Sequence, residues 1–235
     1  MWGQPDLPET LEIEGRSLPL KVKRNSRARR VILRLDAAEG AAALTLPPGF
    51  SNREALAFLE KNRGWLAERL KRLPRRIAFE PGGSLPILGV MHEIVSLPEA
   101  RRGVWREAGR LYVSGRPEHL PRRVVDYLKA EAKNELVWRA REMAARLERK
   151  VTRVTVRDTR SRWGSCSHQG ALSFSWRLIL APEEILDYLV AHEVAHLVEM
   201  NHSPAFWRQV ARLHPDHKRA RAWLKREGAS LWRYG

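Results

Sequence analysis

Residues 182–202 read PEEILDYLVAHEVAHLVEMNH, and they contain two histidines four positions apart with a glutamate directly after the first. The segment begins with a proline and two acids, which suit the first turn of a helix. On a helix, His192 and His196 lie close in angle and one turn apart, so both imidazoles can point at one metal ion. Glu193 then lies near enough to take a proton from a water molecule on that ion. The spacing therefore predicts a helix that carries a catalytic Zn2+ site.

A catalytic zinc site usually takes a third protein ligand, and His202 is the leading candidate. On a continuous helix, residue 202 would project roughly 120° away from His196, so the chain has to leave the helix first. Asn201 tolerates the left-handed conformation at a helix end, and Ser203-Pro204 suits the N-cap and first position of a new helix. We therefore expect a helix break at Asn201. Glu199 shares the face of the two histidines and is the alternative ligand, or a residue that supports the ligands.

The composition of the 235 residues, 43% of them hydrophobic, suits a globular protein with one large or two small domains. The single cysteine, Cys166, cannot close an intramolecular disulfide, which indicates a reducing compartment and excludes a cysteine-rich metal site. The opening residues show no basic start followed by an apolar run. The sequence therefore predicts a soluble, cytoplasmic protein without membrane contact, and no feature of it specifies an oligomeric state.

Positive charge dominates the composition, with 43 Lys and Arg against 27 Asp and Glu and a formal net charge of +16. Such a surface attracts polyanions, so contact with nucleic acid is a hypothesis. The alternative is a bias of genome composition, because 34 of the basic residues are Arg and only 9 are Lys. The charge alone does not choose between these two explanations.

Hydrophobic periodicity changes along the chain. Alternating apolar residues predict mostly strands in the first half, interrupted by one helix over residues 51–73 that begins with the capping box Ser51–Glu54. From about Pro117 the pattern is typical of long helices. A short hairpin is expected among them, with arms at 154–156 and 172–176 and its turn region at 167–170. We therefore predict an α+β protein with a mostly β N-terminal domain, 1–116, and a catalytic domain, 117–235.

Further motifs accompany the predicted metal ligands: RWGSCS at 162–167, AP at 181–182, DY at 187–188 and NHSPAFW at 201–207. Together with the histidine motif, they resemble the YgjP-like family of zinc metallopeptidases, relatives of the SprT-like and WLM-type peptidases. The resemblance implies a zincin-like α+β domain in which His192, His196 and His202 bind zinc and Glu193 is catalytic. Some SprT-like and WLM-type relatives degrade proteins attached to DNA, which also favours contact with nucleic acid.

In zincin-like folds, an edge strand beside the active-site helix often lines the substrate groove, so we expect the segment around residue 164 to border the cleft. Tyr188 and two arginines near that segment are candidate stabilisers of a developing oxyanion. Cys166 is either a reversible inhibitor at the metal or a small buried apolar residue. The candidate cleft or transition-state contacts are Arg160, Arg162, Trp163, Gly164, Ser165, Cys166 and Tyr188.

Three functions fit these patterns. The leading hypothesis is hydrolysis of peptide bonds in a peptide or protein substrate. A second enzyme hypothesis keeps the site but applies it to the phosphoanhydride of a nucleotide that arginines hold. The third hypothesis is a basic protein that binds nucleic acid and whose metal is structural.

Overall fold

The computed structural model describes residues 5–36, 40–71, 76–159 and 162–235. They form an α+β protein with a strand-rich N-terminal part and helices that dominate the C-terminal part. The chain divides into two compact units, Met1–Arg75 and Arg76–Gly235. Within the described ranges, no helix is both long enough and apolar enough to cross a membrane.

The N-terminal unit is a four-stranded sheet whose apolar side packs on two helices. Its strands are β1 (Thr10–Ile13), β2 (Arg16–Arg24), β3 (Ile32–Asp36) and β4 (Ala41–Leu46), in the order β1-β2-β4-β3. β2 and β4 run parallel, whereas β1 and β3 pair antiparallel with their neighbours. Alternate side chains such as Leu18, Leu20 and Leu44 are buried, because successive side chains of a strand point to opposite faces. They join one core with Ala55 and Leu59 of the first helix.

A capping box begins the helical segment of this unit, as the sequence predicts. The main-chain N–H of Glu54 donates to Ser51 Oγ at 3.2 Å, and the N–H of Ser51 donates to Glu54 Oε2 at 2.8 Å. These two hydrogen bonds satisfy donors that have no partner within the helix itself. The start of the helix is therefore fixed by local chemistry that can be read from the sequence.

The single helix predicted over 51–73 is two helices in the structure, α1 (Asn52–Lys61) and α2 (Arg63–Lys71). Asn62 separates them, because its backbone is not helical and its side-chain amide donates to a carbonyl in the last turn of α1 at 2.7 Å. A side chain that bonds to the local backbone competes with helix continuation in this way. Leu73, an apolar position of the predicted helix, lies outside the described residues.

The C-terminal unit begins with a second four-stranded sheet. Its strands are β5 (Ser84–Ile87), β6 (Val90–Leu97), β7 (Val104–Glu107) and β8 (Arg110–Ser114), in the order β5-β6-β8-β7. β6 and β8 run parallel, and the two edge strands pair antiparallel with their neighbours. One face of the sheet is buried in the core of this unit.

The division between the units falls after Arg75, whereas the sequence predicts it between residues 116 and 117. The second sheet explains the difference. Its buried residues Leu85, Ile94 and Leu111 share one apolar core with the helices that follow. Because a domain is built around its own core, β5 to β8 belong to the unit that also holds the three histidines.

A long helix and a three-stranded sheet come next. The helix α3 spans Leu120–Arg146, and the strands are β9 (Arg153–Arg157), β10 (Gly164–Cys166) and β11 (Ala171–Ser175), in the order β10-β11-β9. The prediction of a hairpin between 154–156 and 172–176 is wrong about its first arm, 154–156. β11 pairs antiparallel with β10, and it pairs in parallel with β9. The tight turn at 167–170 brings β10 to β11, so β9 occupies the opposite edge.

Three helices complete the unit: α4 (Glu183–Ala195), α5 (Pro204–Leu213) and α6 (His217–Glu227). Most residues of α4 are buried. The buried guanidinium of Arg139 on α3 fixes the first turns of α4, because it donates to Asp187 at 2.6 Å and also pairs with Glu183 and Glu135. An ion-pair cluster at one end and apolar packing along its length therefore hold the helix that carries the histidines.

Candidate metal centre

α4 places His192 and Glu193 in its last turn and ends at its C-cap residue, His196. Because the two histidines are four positions apart, their rings lie on one side of the helix, with centroids 5.2 Å apart. Glu193 follows His192 directly, and it is only 5% exposed. One helix end thus brings two imidazoles and a buried carboxylate together, as the sequence spacing predicts.

The chain leaves α4 earlier than the break predicted at Asn201. The N–H of Leu197 donates to the carbonyl three residues earlier at 2.9 Å, which tightens the turn and ends the helix at Ala195. The next helix begins as predicted, with Ser203 as the N-cap of α5 and its hydroxyl accepting a hydrogen bond from a first-turn N–H. His202 therefore lies in a short connection between two helices. The helical repeat of α4 does not set the direction of its side chain there.

The three predicted ligands meet at one place. Candidate ligand nitrogens of His192, His196 and His202 all lie within 4.8 Å of one another. The Nε2 atoms of His192 and His202 are 3.1 Å apart. Three imidazoles this close suit a zinc-type ion, whose Zn–N bonds are about 2.0–2.1 Å long. In the part of the chain that the structure describes, no other group of histidine, cysteine and acidic side chains has this arrangement.

The hydrogen bonding and burial of the histidines favour metal binding. His196 Nδ1 donates to the main-chain carbonyl of Glu199 at 3.0 Å, which leaves Nε2 for a metal. Glu199, the predicted alternative ligand, thus contributes a carbonyl that orients His196. Burial lowers the pKa of His196. Burial, with the neighbouring charges of His196 and His202, also lowers the pKa of His192 to about 3. Neutral imidazoles are the form that binds a metal.

Phe206 forms an apolar wall against all three histidines, a role that the sequence pattern does not reveal by itself. Its ring centroid lies 4.5 Å from that of His196, 4.7 Å from that of His202 and 5.0 Å from that of His192. The side chain is fully buried. The available signal is its position in the first turn of α5, three residues after the predicted N-cap Ser203. Phe206 excludes water from one side of the cluster and restricts the rotation of the rings.

Glu193 lies against the backbone of β10. A Cβ atom added to Gly164 would come 2.6 Å from Glu193 Oε1 and 2.7 Å from its Cγ, so a larger residue cannot fit while Glu193 keeps its place. Burial raises the pKa of Glu193 to about 7, and the charge of Arg162 opposes this rise. A bound divalent cation would also lower this pKa. A carboxyl group that titrates near neutrality is suited to general acid and base catalysis.

Tyr188 lies one turn before His192 on α4, and the two ring centroids are 6.1 Å apart in an edge contact. Its side chain is buried. Burial raises the pKa of the phenol, a rise that Arg221 opposes and Glu193 reinforces. The phenol therefore stays protonated at neutral pH and can donate a hydrogen bond.

The arginines and the tryptophan of the predicted cleft have different surroundings. Arg162 is exposed, and its charge acts on Glu193. Trp163 packs its ring on Trp232 with the centroids 5.2 Å apart, and it lies against the apolar core. Arg160 lies outside the described residues. Of the two described side chains, Arg162 is the one whose charge acts on the buried carboxylate.

Ser165 and Cys166 complete β10 and are half-buried. β10 is an edge strand of its sheet, with β11 on one side. The Cys166 thiol donates to the main-chain carbonyl of Ser167 at 3.3 Å. Burial raises the pKa of this thiol to about 11, and the charge of Glu193 adds to the rise. The group of candidate metal ligands in the described residues does not include Cys166.

Alkylation of Cys166 by iodoacetamide is expected to be about 100-fold slower at pH 8 in the folded, metal-free protein than in the unfolded chain. The thiolate is the reactive form, so a pKa raised to about 11 removes most of it at pH 8 and restores it as the pH rises. Mass spectrometry follows the single site with EDTA present, and the same protein in urea is the control. Equal rates in the folded and unfolded protein would contradict this assignment.

Comparison with known proteins gives one relation. The family model described as YgjP-like, metallopeptidase domain, matches residues 29–227. The matched range contains the three histidines, Glu193 and all of β10. No curated protein and no solved structure matches the chain.

Proposed function

The chain belongs to the YgjP-like family of metallopeptidase domains, and we propose that it is a zinc-dependent hydrolase that cleaves peptide bonds in a peptide or protein substrate. The observation that carries the proposal is a set of three imidazoles, with ligand nitrogens within 4.8 Å, next to a buried carboxylate. His192, His196 and His202 would hold the ion. Zinc at such ligands supplies a Lewis acid that activates water at neutral pH.

Glu193 is the general base in this proposal. It takes a proton from the attacking water and gives it to the leaving amine, so its carboxylate has to stay in one position through both transfers. The close approach of the β10 backbone at Gly164 holds it there. Tyr188 donates a hydrogen bond to the developing oxyanion, and the charge of Arg162 stabilises the ionised form of Glu193.

β10 supplies the surface for the substrate. It is an edge strand, and its first residue touches Glu193. An extended peptide can add to such an edge through main-chain hydrogen bonds, which hold any sequence in a fixed register. This arrangement would place a scissile carbonyl beside the base, in a zincin-like geometry.

A nucleotide phosphoanhydride is the second candidate substrate. Two exposed arginines act electrostatically on the site. The charge of Arg162 acts on Glu193, and the charge of Arg221 acts on His192. Guanidinium groups in such positions suit phosphate oxygens. A purely structural metal is less well supported, because structural zinc sites usually have four protein ligands and the described group has three.

Replacing His202 with alanine is expected to weaken zinc binding by more than about 100-fold, since loss even of a group that only supports a ligand can cost this much. Zinc content after dialysis against a weak chelator measures the effect. His119→Ala is the matched control, because His119 is exposed at the start of α3 and outside the cluster. Equal zinc content in wild type and His202→Ala would exclude His202 as a ligand.

The reaction itself is tested by incubating the zinc-loaded protein with an unfolded protein, a peptide mixture and nucleoside triphosphates. We expect cleavage of the polypeptides, its loss with EDTA and its return when zinc is restored. Turnover of nucleotides alone would replace the peptidase proposal with the second candidate. Full activity after complete removal of metal would overturn both.

A further inference from the structure

Arg221 lies on α6 beside the metal centre, and one aromatic ring connects it to two of the ligands. Its Cζ atom is 4.9 Å from the centroid of the Trp207 ring. That ring lies 5.8 Å from the ring of His192 and 6.1 Å from the ring of His202, measured between centroids. The ring of Trp207 therefore links the guanidinium to two of the three histidines, although residue 221 is remote from them in sequence.

Contacts on α5 and α6 hold this arrangement in place. His217, one turn before Arg221 on α6, stacks on Trp207 with centroids 5.9 Å apart and an angle of 24° between the rings. Ala220 is buried in the core and anchors the same helix. A guanidinium over an aromatic ring interacts through its face, so its N–H groups remain available at the edge for a planar, two-oxygen acceptor.

Two buried arginines of this unit have carboxylate partners. Arg139 pairs with three acids, and Arg177 pairs with Asp158 at 3.0 Å. Both guanidinium groups are buried and serve the fold. Arg221 is exposed, and it makes no ion pair with any carboxylate in the described ranges. Its donors are thus available to a ligand from solution.

The charge of Arg221 is also unfavourable for a metal centre that works alone. A divalent ion at the histidines and this guanidinium would repel each other, because both carry positive charge. An anionic group between the ion and Arg221 converts that repulsion into two attractions.

We propose that Arg221 is a specificity-determining residue that binds an anionic group of the substrate, a carboxylate or a phosphate, beside the metal ligands. This inference rests on the proposed hydrolytic function and defines its substrate class. For a polypeptide, the group is an acidic side chain or the C-terminal carboxylate near the cleaved bond. For a nucleotide, the anionic group is a phosphate of the polyphosphate that is hydrolysed.

Binding of inorganic phosphate to the full-length chain as purified tests the inference without turnover. We expect Arg221→Gln to weaken the phosphate affinity measured by calorimetry by about tenfold or more, since a charge-assisted pair is lost. Arg221→Lys should keep part of it, because the charge remains and the planar fork does not. Arg219→Gln is the matched control, with the same loss of charge at an exposed neighbour on α6. Phosphate binding that is absent in wild type, or equally weakened by both glutamine variants, would overturn the proposal.

Turnover then identifies the source of the anion. Arg221→Gln should lower kcat/KM for acidic peptides by a larger factor than for neutral, C-terminally amidated peptides if the group is a carboxylate. It should lower kcat/KM for nucleoside triphosphates if the group is a phosphate. A uniform loss on acidic and neutral peptides would contradict a specificity role. Glu193→Gln should retain phosphate binding, so a failure of the hydrolytic proposal and a failure of this one are told apart.

Discussion

Replacing Glu193 with glutamine is expected to lower hydrolysis by about 10²–10⁴-fold and to leave the bound metal unchanged, because the amide keeps the shape of the side chain but cannot accept the proton. The surroundings of the carboxyl group confine it. It is 5% exposed and touches the backbone at Gly164. Steady-state rates on the substrate that the zinc-loaded protein hydrolyses measure the loss of activity. The zinc content of the variant measures whether the metal is retained.

Glu184→Gln is the matched control for this variant. Glu184 lies on the same helix, in its exposed first turn, so the chemical change is identical and the site is untouched. We expect it to retain wild-type activity. Full activity of Glu193→Gln would remove Glu193 from the mechanism, and loss of zinc in the same variant would show that the carboxylate supports the metal instead.

Local spacing explains why most of the centre could be predicted. Two histidines four positions apart on a helix share one face whatever surrounds them, so His192 and His196 follow from the repeat of the helix. His202 required a change of chain direction, which the N-cap sequence after it indicated. The predicted position of the end of α4 was wrong. The tight turn there depends on main-chain hydrogen bonds that no single residue type indicates.

Contacts between distant segments could not be predicted. Phe206 is an ordinary apolar residue of an amphipathic helix until α5 folds back against α4, and Arg221 is one of many arginines until α6 places it over Trp207. The division after Arg75 and the parallel pairing of β9 with β11 arise in the same way, from which surfaces share a core and not from periodicity. Cytoplasmic location and contact with nucleic acid stay predictions.

Replacing Gly164 with alanine is expected to lower hydrolysis by about 100-fold while zinc remains bound, because a displacement of a catalytic group by about 1 Å can cost this much. The new methyl carbon would lie 2.6 Å from Oε1, 2.7 Å from Cγ and 2.8 Å from Cδ of Glu193. Three atoms of one side chain conflict at once, so a small rotation of the carboxylate cannot relieve the contact. Either the side chain leaves its position or β10 moves away from α4.

Gly64→Ala separates this effect from the general consequences of replacing glycine. Gly64 lies in α2, and an added Cβ there meets no atom within 4 Å. That variant should keep full activity and gain stability, since alanine favours a helix by about 1 kcal/mol over glycine. In Gly164→Ala, overpacking should cost about 1–3 kcal/mol of unfolding free energy. A loss of activity while zinc stays bound and the protein stays folded would show that β10 positions the base. Unchanged activity would mean that Glu193 acts from another position, and the edge strand would then lose its assigned role beside the scissile bond.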